Sequence, residues 1–298
     1  MNIAAETALS LTGAGGLTLG YSLVEAQSFT TRYATADVLP AGSADIKVLH
    51  LSDLHLTPAQ TRKIKWVASL EKHEPDLVVV TGDFMAHQLA VPAVIEALSE
   101  LLNRPGLFVL GSNDYFAPSF KSPFTYFGKN RKIETSPEQL PTEDIVDELT
   151  SVGWIDLDNR QERLTINDVA IHARGTDDAH IKHDDYASVQ GSFDDGAFAL
   201  GVTHAPYKRV LDSFAQDNAD FLFAGHTHGG QVCIPFYGAL VTNCDLPTNQ
   251  AKGMSTYTDA THQLPMHISA GVGTSPYFPI RFACRPEATV LTLRAKVS

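Results

Sequence analysis

Three short apolar runs in the first part of the chain constrain its fold more than any other feature; they span Ile46–Leu51, Leu77–Val80 and Leu107–Leu110. The segments between them, from about Pro58 to Lys72 and from Val91 to Leu102, carry apolar residues at helical spacing. This alternation predicts parallel strands, and uninterrupted apolar strands predict a sheet that is covered on both faces. The residues that follow the strands should therefore meet at one sheet edge, where such sheets bind ligands.

Polar clusters follow these three strands and two strands farther along the chain. The clusters are Asp53-x-His55, Gly82-Asp83, Gly111-Ser112-Asn113-Asp114, Thr203-His204 and Gly225-His226-Thr227-His228-Gly229-Gly230. Imidazole and carboxylate donors together favour Zn, Mn, Fe, Co or Ni over Ca or Mg alone. The donors are too many for one tetrahedral ion, and two metal ions that share a carboxylate account for them. Each motif alone is a weak signal, whereas all five in this order are specific.

Charge and composition exclude several other classes of protein. The chain has 22 Lys and Arg against 34 Asp and Glu, a net charge of −12, so general binding to nucleic acid is not expected. The hydrophobic share of 44% is that of an ordinary globular protein and argues against disorder. Cys233, Cys244 and Cys284 are too few for a disulfide framework, and we interpret them as buried apolar residues.

We divide the chain into an apolar N-terminal segment, residues 1–40, and one folded domain, residues 41–298. No Lys or Arg precedes Arg32, so the segment lacks the positive region of a secretory signal peptide. The apolar run from Ala8 to Val24 is broken by glycines and is shorter than a membrane-spanning helix needs. We expect a helix or loop packed on the domain, with peripheral membrane contact as the alternative. The expected location is cytoplasmic or peripheral to a membrane.

The five clusters resemble the signature of the calcineurin-like metallophosphoesterase superfamily, which runs D-x-H, G-D, G-N-H-[DE], a single H and G-H-x-H. The sequence from Gly225 to Gln231 resembles the bacterial branch that includes UDP-2,3-diacylglucosamine hydrolases and cell-envelope phosphoesterases. The resemblance extends from about Lys47 to the C-terminus. It implies a four-layered α/β/β/α sandwich with two mixed sheets and a dinuclear metal site at the carboxyl edge of the strands.

The resemblance also implies a set of ligands for each metal ion. The first ion would be held by Asp53, His55, Asp83 and His228. The second ion would be held by Asp83, Asn113, His204 and His226, so that Asp83 bridges the two. A bridging carboxylate holds two cations about 3.5–4 Å apart and leaves room for a water or hydroxide between them.

One motif departs from the family pattern, because this chain has Gly111-Ser112-Asn113-Asp114 where the family has G-N-H-[DE]. Without a gap, Ser112 would take the ligand position and Asn113 the position of the catalytic histidine. With a shift of one residue Asn113 is the ligand, and we prefer it because an amide oxygen binds metal better than a neutral hydroxyl. The usual acidic histidine is missing in both alignments. Asp114, a metal-bound water or His180 could then protonate the leaving group.

We therefore predict a metal-dependent hydrolase that cleaves a phosphomonoester, phosphodiester or pyrophosphate bond by attack of a metal-bridging hydroxide. Its cofactors would be two divalent ions, Mn, Fe, Zn or Ni. The catalytic candidates are Asn113 and Asp114, and the candidates for substrate contacts are Lys121, Arg131 and His180. The partner would be a phosphorylated small molecule or a lipid-linked phosphate.

Two other functional hypotheses are compatible with the sequence. The altered Gly111–Asp114 motif is compatible with a catalytically weakened scaffold or sensor that still binds metal. A structural zinc protein would instead hold one tightly bound tetrahedral ion and would unfold when that ion is removed.

Overall fold

The computed structural model describes residues 15–119 and 138–296. From one edge to the other, the first sheet consists of β1 (Thr30–Leu39), β14 (Glu287–Ala295), β2 (Ile46–Leu51), β3 (Leu77–Thr81), β4 (Gly106–Val109) and β5 (Ile155–Asp156). Neighbouring strands in this sheet are parallel, except that β14 runs antiparallel to β2.

The second sheet is also mixed. From edge to edge it consists of β12 (Gly253–Thr258), β13 (Gln263–Ile268), β9 (Phe221–Ala224), β8 (Phe198–Thr203), β7 (Val169–Thr176) and β6 (Gln161–Ile166). The four inner strands are parallel, and the two edge strands are antiparallel to their neighbours. A separate hairpin contains β10 (Cys233–Ile234) and β11 (Gly238–Ala239).

The helices are short. They are α1 (15–25), α2 (Thr61–Ala68), α3 (Val91–Leu98), α4 (Ser112–Tyr115), α5 (Thr142–Ser151) and α6 (Lys208–Gln216). The two helices predicted between the first three strands both exist, as α2 and α3, but both are shorter than expected. A 3₁₀ turn follows α2 at Ser69–His73, and another follows α3 at Leu101–Asn103. The first of these turns ends at Glu74 in a left-handed conformation, directly before Pro75.

The inner strands of both sheets are buried on both faces, and their side chains divide between two apolar layers. In β2, Leu49 and Leu51 pack with α2, α3 and α5, whereas Val48 faces the second sheet and joins Val202 and Phe223 in the layer between the sheets. The outer face of the second sheet packs on α6 through residues such as Phe214. These layers make a four-layered α/β/β/α sandwich of two mixed sheets, which confirms the fold that the family resemblance implied.

The N-terminal residues take part in the first sheet. Strand β1 pairs in parallel with β14, with Thr30 opposite Glu287, so the boundary placed at residue 40 lies between two strands of one sheet. Helix α1 is attached through Glu25, whose carboxylate accepts hydrogen bonds from the backbone N–H groups of Ala283 and Cys284 at 3.0 and 2.8 Å. Among the described residues, no helix is both long and apolar enough to cross a bilayer.

The contact between β4 and the segment after α5 leaves no room for a side chain at Gly106. A Cβ atom there would lie 2.3 Å from the Trp154 indole, whose Nε1 donates a hydrogen bond to the Arg104 carbonyl. We therefore expect Gly106→Ala to lower the free energy of unfolding by about 1–3 kcal/mol, the usual cost of overpacking a core. Urea unfolding followed by tryptophan fluorescence would measure it.

The matched control for this prediction is Gly20→Ala in α1, where nothing lies within 4 Å of an added Cβ. This exposed helical position should become slightly more stable, because alanine favours the helix over glycine. An unfolding midpoint for Gly106→Ala equal to that of the unsubstituted protein would contradict the packing described here.

Candidate metal centre

The polar clusters occupy sharp turns directly after the strands. The loops that follow β2 and β3 run side by side, since the Asp53 N–H donates to the Gly82 carbonyl and the His55 N–H donates to the Asp83 carbonyl. Five of the predicted ligands have left-handed backbones, with φ between 42° and 69°: Asp53, His55, Asp83, His226 and His228. Such a backbone costs about 1–3 kcal/mol for a residue other than glycine, and clusters of these residues are typical of functional sites.

Four of the predicted ligands converge on one point. The donor atoms of Asp53, His55, Asp83 and His228 all lie within 4.8 Å of one another. His55 Nε2 lies 3.4 Å from Asp83 Oδ2, and His228 Nε2 lies 3.5 Å from Asp53 Oδ1. The Nε2 atoms of the two histidines face each other at 3.3 Å. Two carboxylate oxygens and two imidazole nitrogens around one point form a donor set suited to a transition-metal ion.

The residues predicted to bind the second ion also lie around Asp83. His204 Nε2 is 3.6 Å from Asp83 Oδ2. Asn113 donates to both Asp83 oxygens, from its backbone N–H to Oδ1 and from its side-chain amide to Oδ2, each at 2.8 Å. The His226 ring lies 5.2 Å from the His204 ring, and the His226 N–H donates to Asp53 Oδ2 at 3.1 Å. The seven predicted ligands therefore form one contiguous cluster.

Several donor atoms of this cluster have no partner within the protein. Asp53 Oδ1 and His204 Nε2 are buried and accept or donate no hydrogen bond. Buried polar atoms in native proteins are almost always paired, so such orphans call for a ligand. Carboxylate, imidazole and amide donors are the chemistry that a divalent metal requires. The residues present therefore fit a divalent-metal centre.

Burial sets the protonation of most histidines in the cluster. It lowers the pKa of His55 and of His226 well below the usual value, and it lowers that of His228 to about 3. A neutral imidazole keeps the lone pair with which it binds a metal. His204 differs: burial lowers its pKa, but the carboxylates of Asp83, Asp178 and Asp53 outweigh burial and raise it to about 9. In the absence of a cation, His204 carries the positive charge that these carboxylates need.

Neighbouring groups fix the orientation of the donors. His204 Nδ1 lies 2.6 Å from the Thr81 carbonyl, which directs Nε2 towards Asp83. The Ser52 hydroxyl donates to Asp53 Oδ2 at 2.6 Å. Such contacts commonly set the tautomer and the orientation of metal ligands. A Cβ at Gly225 would lie 1.8 Å from Ser52 Oγ, so the glycine before His226 is required by close approach.

A family model for calcineurin-like phosphoesterases matches residues 46–230, which is more than half of the chain. The chain belongs to the calcineurin-like phosphoesterase family. This confirms the resemblance seen in the sequence motifs and places the protein among the hydrolases of phosphoester bonds.

Three relatives show how widely the similarity extends. The phosphoesterase is 27% identical over 300 residues to the uncharacterized metallophosphoesterase YkuE of Bacillus subtilis, covering 96% of this chain and 92% of YkuE. It is 23% identical over 257 residues to the phosphodiesterase YaeI of Escherichia coli, covering 84% of this chain and 83% of YaeI. It is 24% identical over 285 residues to the UDP-2,3-diacylglucosamine pyrophosphatase LpxG of Chlamydia trachomatis, covering 83% of each chain.

The structure distinguishes the roles of the residues in the departing Gly111–Asp114 motif of the phosphoesterase. Asn113 contacts Asp83, as described above, and is therefore the residue of this motif at the centre. Asp114 is fully buried, and its carboxylate accepts three backbone hydrogen bonds, from Phe84 and Met85 at Oδ1 and from Gly111 at Oδ2. Burial, together with Asp83, raises the pKa of Asp114 to about 8. These contacts tie the loop after β4 to the loop after β3.

The predicted substrate contacts divide into two groups. Lys121 and Arg131 lie outside the described residues. His180 lies beside the centre: its ring is 4.7 Å from the His226 ring, and its Nδ1 is 3.0 Å from the Tyr207 hydroxyl.

Asp178 is not among the site residues that were predicted from the sequence. Asp178 is fully buried, and burial raises its pKa to about 7 although His204 opposes that rise. The available signal was its position, because it follows a strand end as closely as Asp53 and Asp83 do.

Proposed function

We propose that this phosphoesterase uses two divalent metal ions to hydrolyse a phosphoester or pyrophosphate bond in a lipid-linked substrate at a membrane surface. The catalytic part of the proposal rests on one observation. Asp83 Oδ2 lies between two imidazoles, 3.4 Å from His55 Nε2 and 3.6 Å from His204 Nε2. A carboxylate in this position is the donor that two cations share in dinuclear hydrolases.

Divalent ions bound there would activate a water molecule and neutralise charge on the phosphate oxygens. The side chains of the protein hold the metal donors in position and in the right protonation state. Asn113 holds both oxygens of Asp83 in place, and the neutral imidazoles of His55 and His228 keep their lone pairs at physiological pH. Because these residues are positioned by strand ends on two packed sheets, the centre is preorganised for the reaction.

His180 and Tyr207 are the side chains best placed to contact the leaving group. They share a hydrogen bond and lie next to His226, and the family histidine is missing from the Gly111–Asp114 motif. Asp114 is a poor candidate for the same role, because three backbone N–H groups occupy its buried carboxylate.

The membrane part of the proposal rests on helix α1. The apolar residues of this helix point outward on several sides: Leu17, Leu19, Tyr21, Leu23 and Val24 are all between 44% and 78% exposed. A helix that is apolar all round is normally buried, and the rest of the described chain covers only its Ser22, Glu25 and Ala26 side. An apolar phase outside the protein, such as the interface of a bilayer, accounts for this surface.

The β10–β11 hairpin adds a second apolar projection. At its tip, Phe236 is fully exposed and Tyr237 is 74% exposed. The hairpin and α1 meet at Phe282, whose carbonyl accepts a hydrogen bond from the Cys233 N–H and whose ring contacts Tyr21 with a centroid distance of 5.6 Å. We define the membrane face as α1, the hairpin and the segment 281–284 between them.

The membrane face is connected directly to the metal centre. The hairpin begins three residues after Gly230, at the end of the His226–His228 motif. In the connecting segment, Cys284 Sγ lies 3.4 Å from the His228 carbonyl oxygen. A lipid-linked phosphate would therefore reach the metal centre while its acyl chains stay in the bilayer. The name of LpxG, a relative of the chain, denotes a diacylated pyrophosphate substrate, which supports this substrate class.

Hydrolysis assays with metal-stripped protein test the catalytic proposal. Reloading with Mn, Zn, Fe or Ni should restore cleavage of bis-p-nitrophenyl phosphate, p-nitrophenyl phosphate or a nucleoside-diphosphate ester. Asp83→Asn should lower that turnover at least about 100-fold, since it removes the shared ligand.

Asp195→Asn removes an exposed carboxylate of the same charge and is the matched control, with turnover close to that of the unsubstituted protein. Full activity of Asp83→Asn would refute the dinuclear proposal. Absence of turnover with every metal and substrate, despite two ions bound per chain, would favour the hypothesis of a catalytically weakened scaffold or sensor.

Co-sedimentation with vesicles tests the membrane face. Zwitterionic phosphatidylcholine is the suitable lipid, because a chain with a net charge of −12 is repelled by anionic bilayers. The double substitution Phe236→Ser/Tyr237→Ser should weaken binding at least about 10-fold, given about 1.5–3 kcal/mol for each large apolar side chain that is buried.

Tyr33→Ser is the control for vesicle binding, because Tyr33 is 69% exposed on β1, outside the membrane face. Its binding should match that of the unsubstituted protein. Equal loss in both variants, or no vesicle binding by the unsubstituted chain, would refute the membrane face while leaving the metal centre untouched.

A further inference from the structure

Asp178 has the properties of a functional carboxylate although no motif of the family includes it. Its side chain is fully buried. One oxygen, Oδ1, accepts a hydrogen bond from the His180 N–H at 2.8 Å. The other oxygen, Oδ2, is buried and has no hydrogen-bond partner. A buried carboxylate oxygen without a donor is costly for a folded protein, so this atom calls for a cation or a hydrogen-bond donor.

The strand register places Asp178 on the side of the fold that carries the metal centre. Strands β7 and β8 are parallel and end together, with Thr176 opposite Thr203 and their hydroxyls 2.8 Å apart. Asp178 follows one of these strand ends and His204 follows the other. Asp178 lies within electrostatic reach of both His204 and Asp83.

The segment after Asp178 is attached to the same side of the centre. His180, whose N–H binds Asp178, lies over the His226 ring at 4.7 Å. His204 and His226 belong to the group of residues on the second-metal side. In the described part of the chain, no lysine or arginine forms an ion pair with Asp178, so the protein itself provides no permanent positive charge for it.

From this arrangement we infer that Asp178 belongs to the metal centre, as a third carboxylate that helps to hold the second cation through its free oxygen. The inference rests on the proposed function, because it assumes a centre of two ions. It explains two orphaned atoms together: the cation that binds the free Nε2 of His204 also neutralises Asp178 Oδ2. It also gives this chain an additional anionic donor on the side where Asn113, an uncharged residue, is the predicted ligand.

Metal binding by Asp178→Asn tests the inference, because asparagine keeps the oxygen that accepts from His180 and removes only the charge. The full-length protein would be stripped with chelator and titrated with Mn(II), with calorimetry and metal analysis as the readouts. We expect the unsubstituted protein to bind two ions. Asp178→Asn should bind the first ion normally and bind the second at least about 10-fold more weakly.

Thermal unfolding separates this role from a purely structural one. Without metal, Asp178→Asn should unfold at about the same temperature as the unsubstituted protein, because asparagine has nearly the same volume and keeps the acceptor for the His180 N–H. Excess Mn(II) should raise the unfolding temperature of Asp178→Asn by less than it raises that of the unsubstituted protein. Asp178→Glu keeps the charge and should still bind two ions.

The matched control is Asp195→Asn, which removes an exposed carboxylate from the same acidic stretch and should bind two ions like the unsubstituted protein. Unchanged affinity of Asp178→Asn for the second ion would overturn the inference, and so would a metal-free variant that unfolds well below the unsubstituted protein. If the unsubstituted protein bound fewer than two ions, the proposed dinuclear function would fail together with the inference. Two ions bound with equal affinities in both proteins would refute the role of Asp178 alone.

Discussion

The carboxylate of Asp83 is the interaction on which the rest of the site depends. It is almost completely buried, its two oxygens accept hydrogen bonds from Asn113, and imidazoles from two different sheets approach Oδ2. A buried carboxylate is stable only where donors or cations surround it, so the position of Asp83 determines where the other donors must lie. The left-handed turn at Asp83, after Gly82, is the backbone arrangement that brings the side chain to this place.

The sandwich makes this convergence possible because the two halves of the centre come from different sheets. Asp53, His55 and Asp83 follow strands of the first sheet, whereas His204 and His226 follow strands of the second. The apolar layer between the sheets, which includes Val79, Val202 and Phe223, therefore holds the donors in register as well as stabilising the fold. Helix α1 and the hairpin are joined to the turn at His228 through Phe282 and Cys284, so the proposed membrane face would adjoin the metal centre.

Because apolar strands and the polar residues after them are local patterns, the sequence predicted a sheet covered on both faces, with the polar residues that follow β2, β3 and β4 at one edge. The four-layered sandwich and the seven ligands came from the resemblance to the family, and the assignment of the ligands stays a prediction. The sequence did not predict strand β1, although residues 34–38 alternate apolar and polar as an edge strand does, because the partner strand β14 lies more than 250 residues away. It could not assign Asp114 to backbone hydrogen bonds, because these join two loops that are about 30 residues apart. It missed Asp178 for a related reason: an aspartate in an acidic stretch looks solvated until the fold buries it.

Anomalous diffraction from crystals grown with Mn(II) is the most direct test of a centre built around a shared Asp83. We expect two anomalous peaks about 3.5–4 Å apart, with Asp83 bound to both ions. The first ion should contact Asp53, His55 and His228, and the second should contact His204, His226 and Asn113. A single peak among Asp53, His55 and His228, with His204 and His226 unbound, would contradict a centre in which two ions share Asp83.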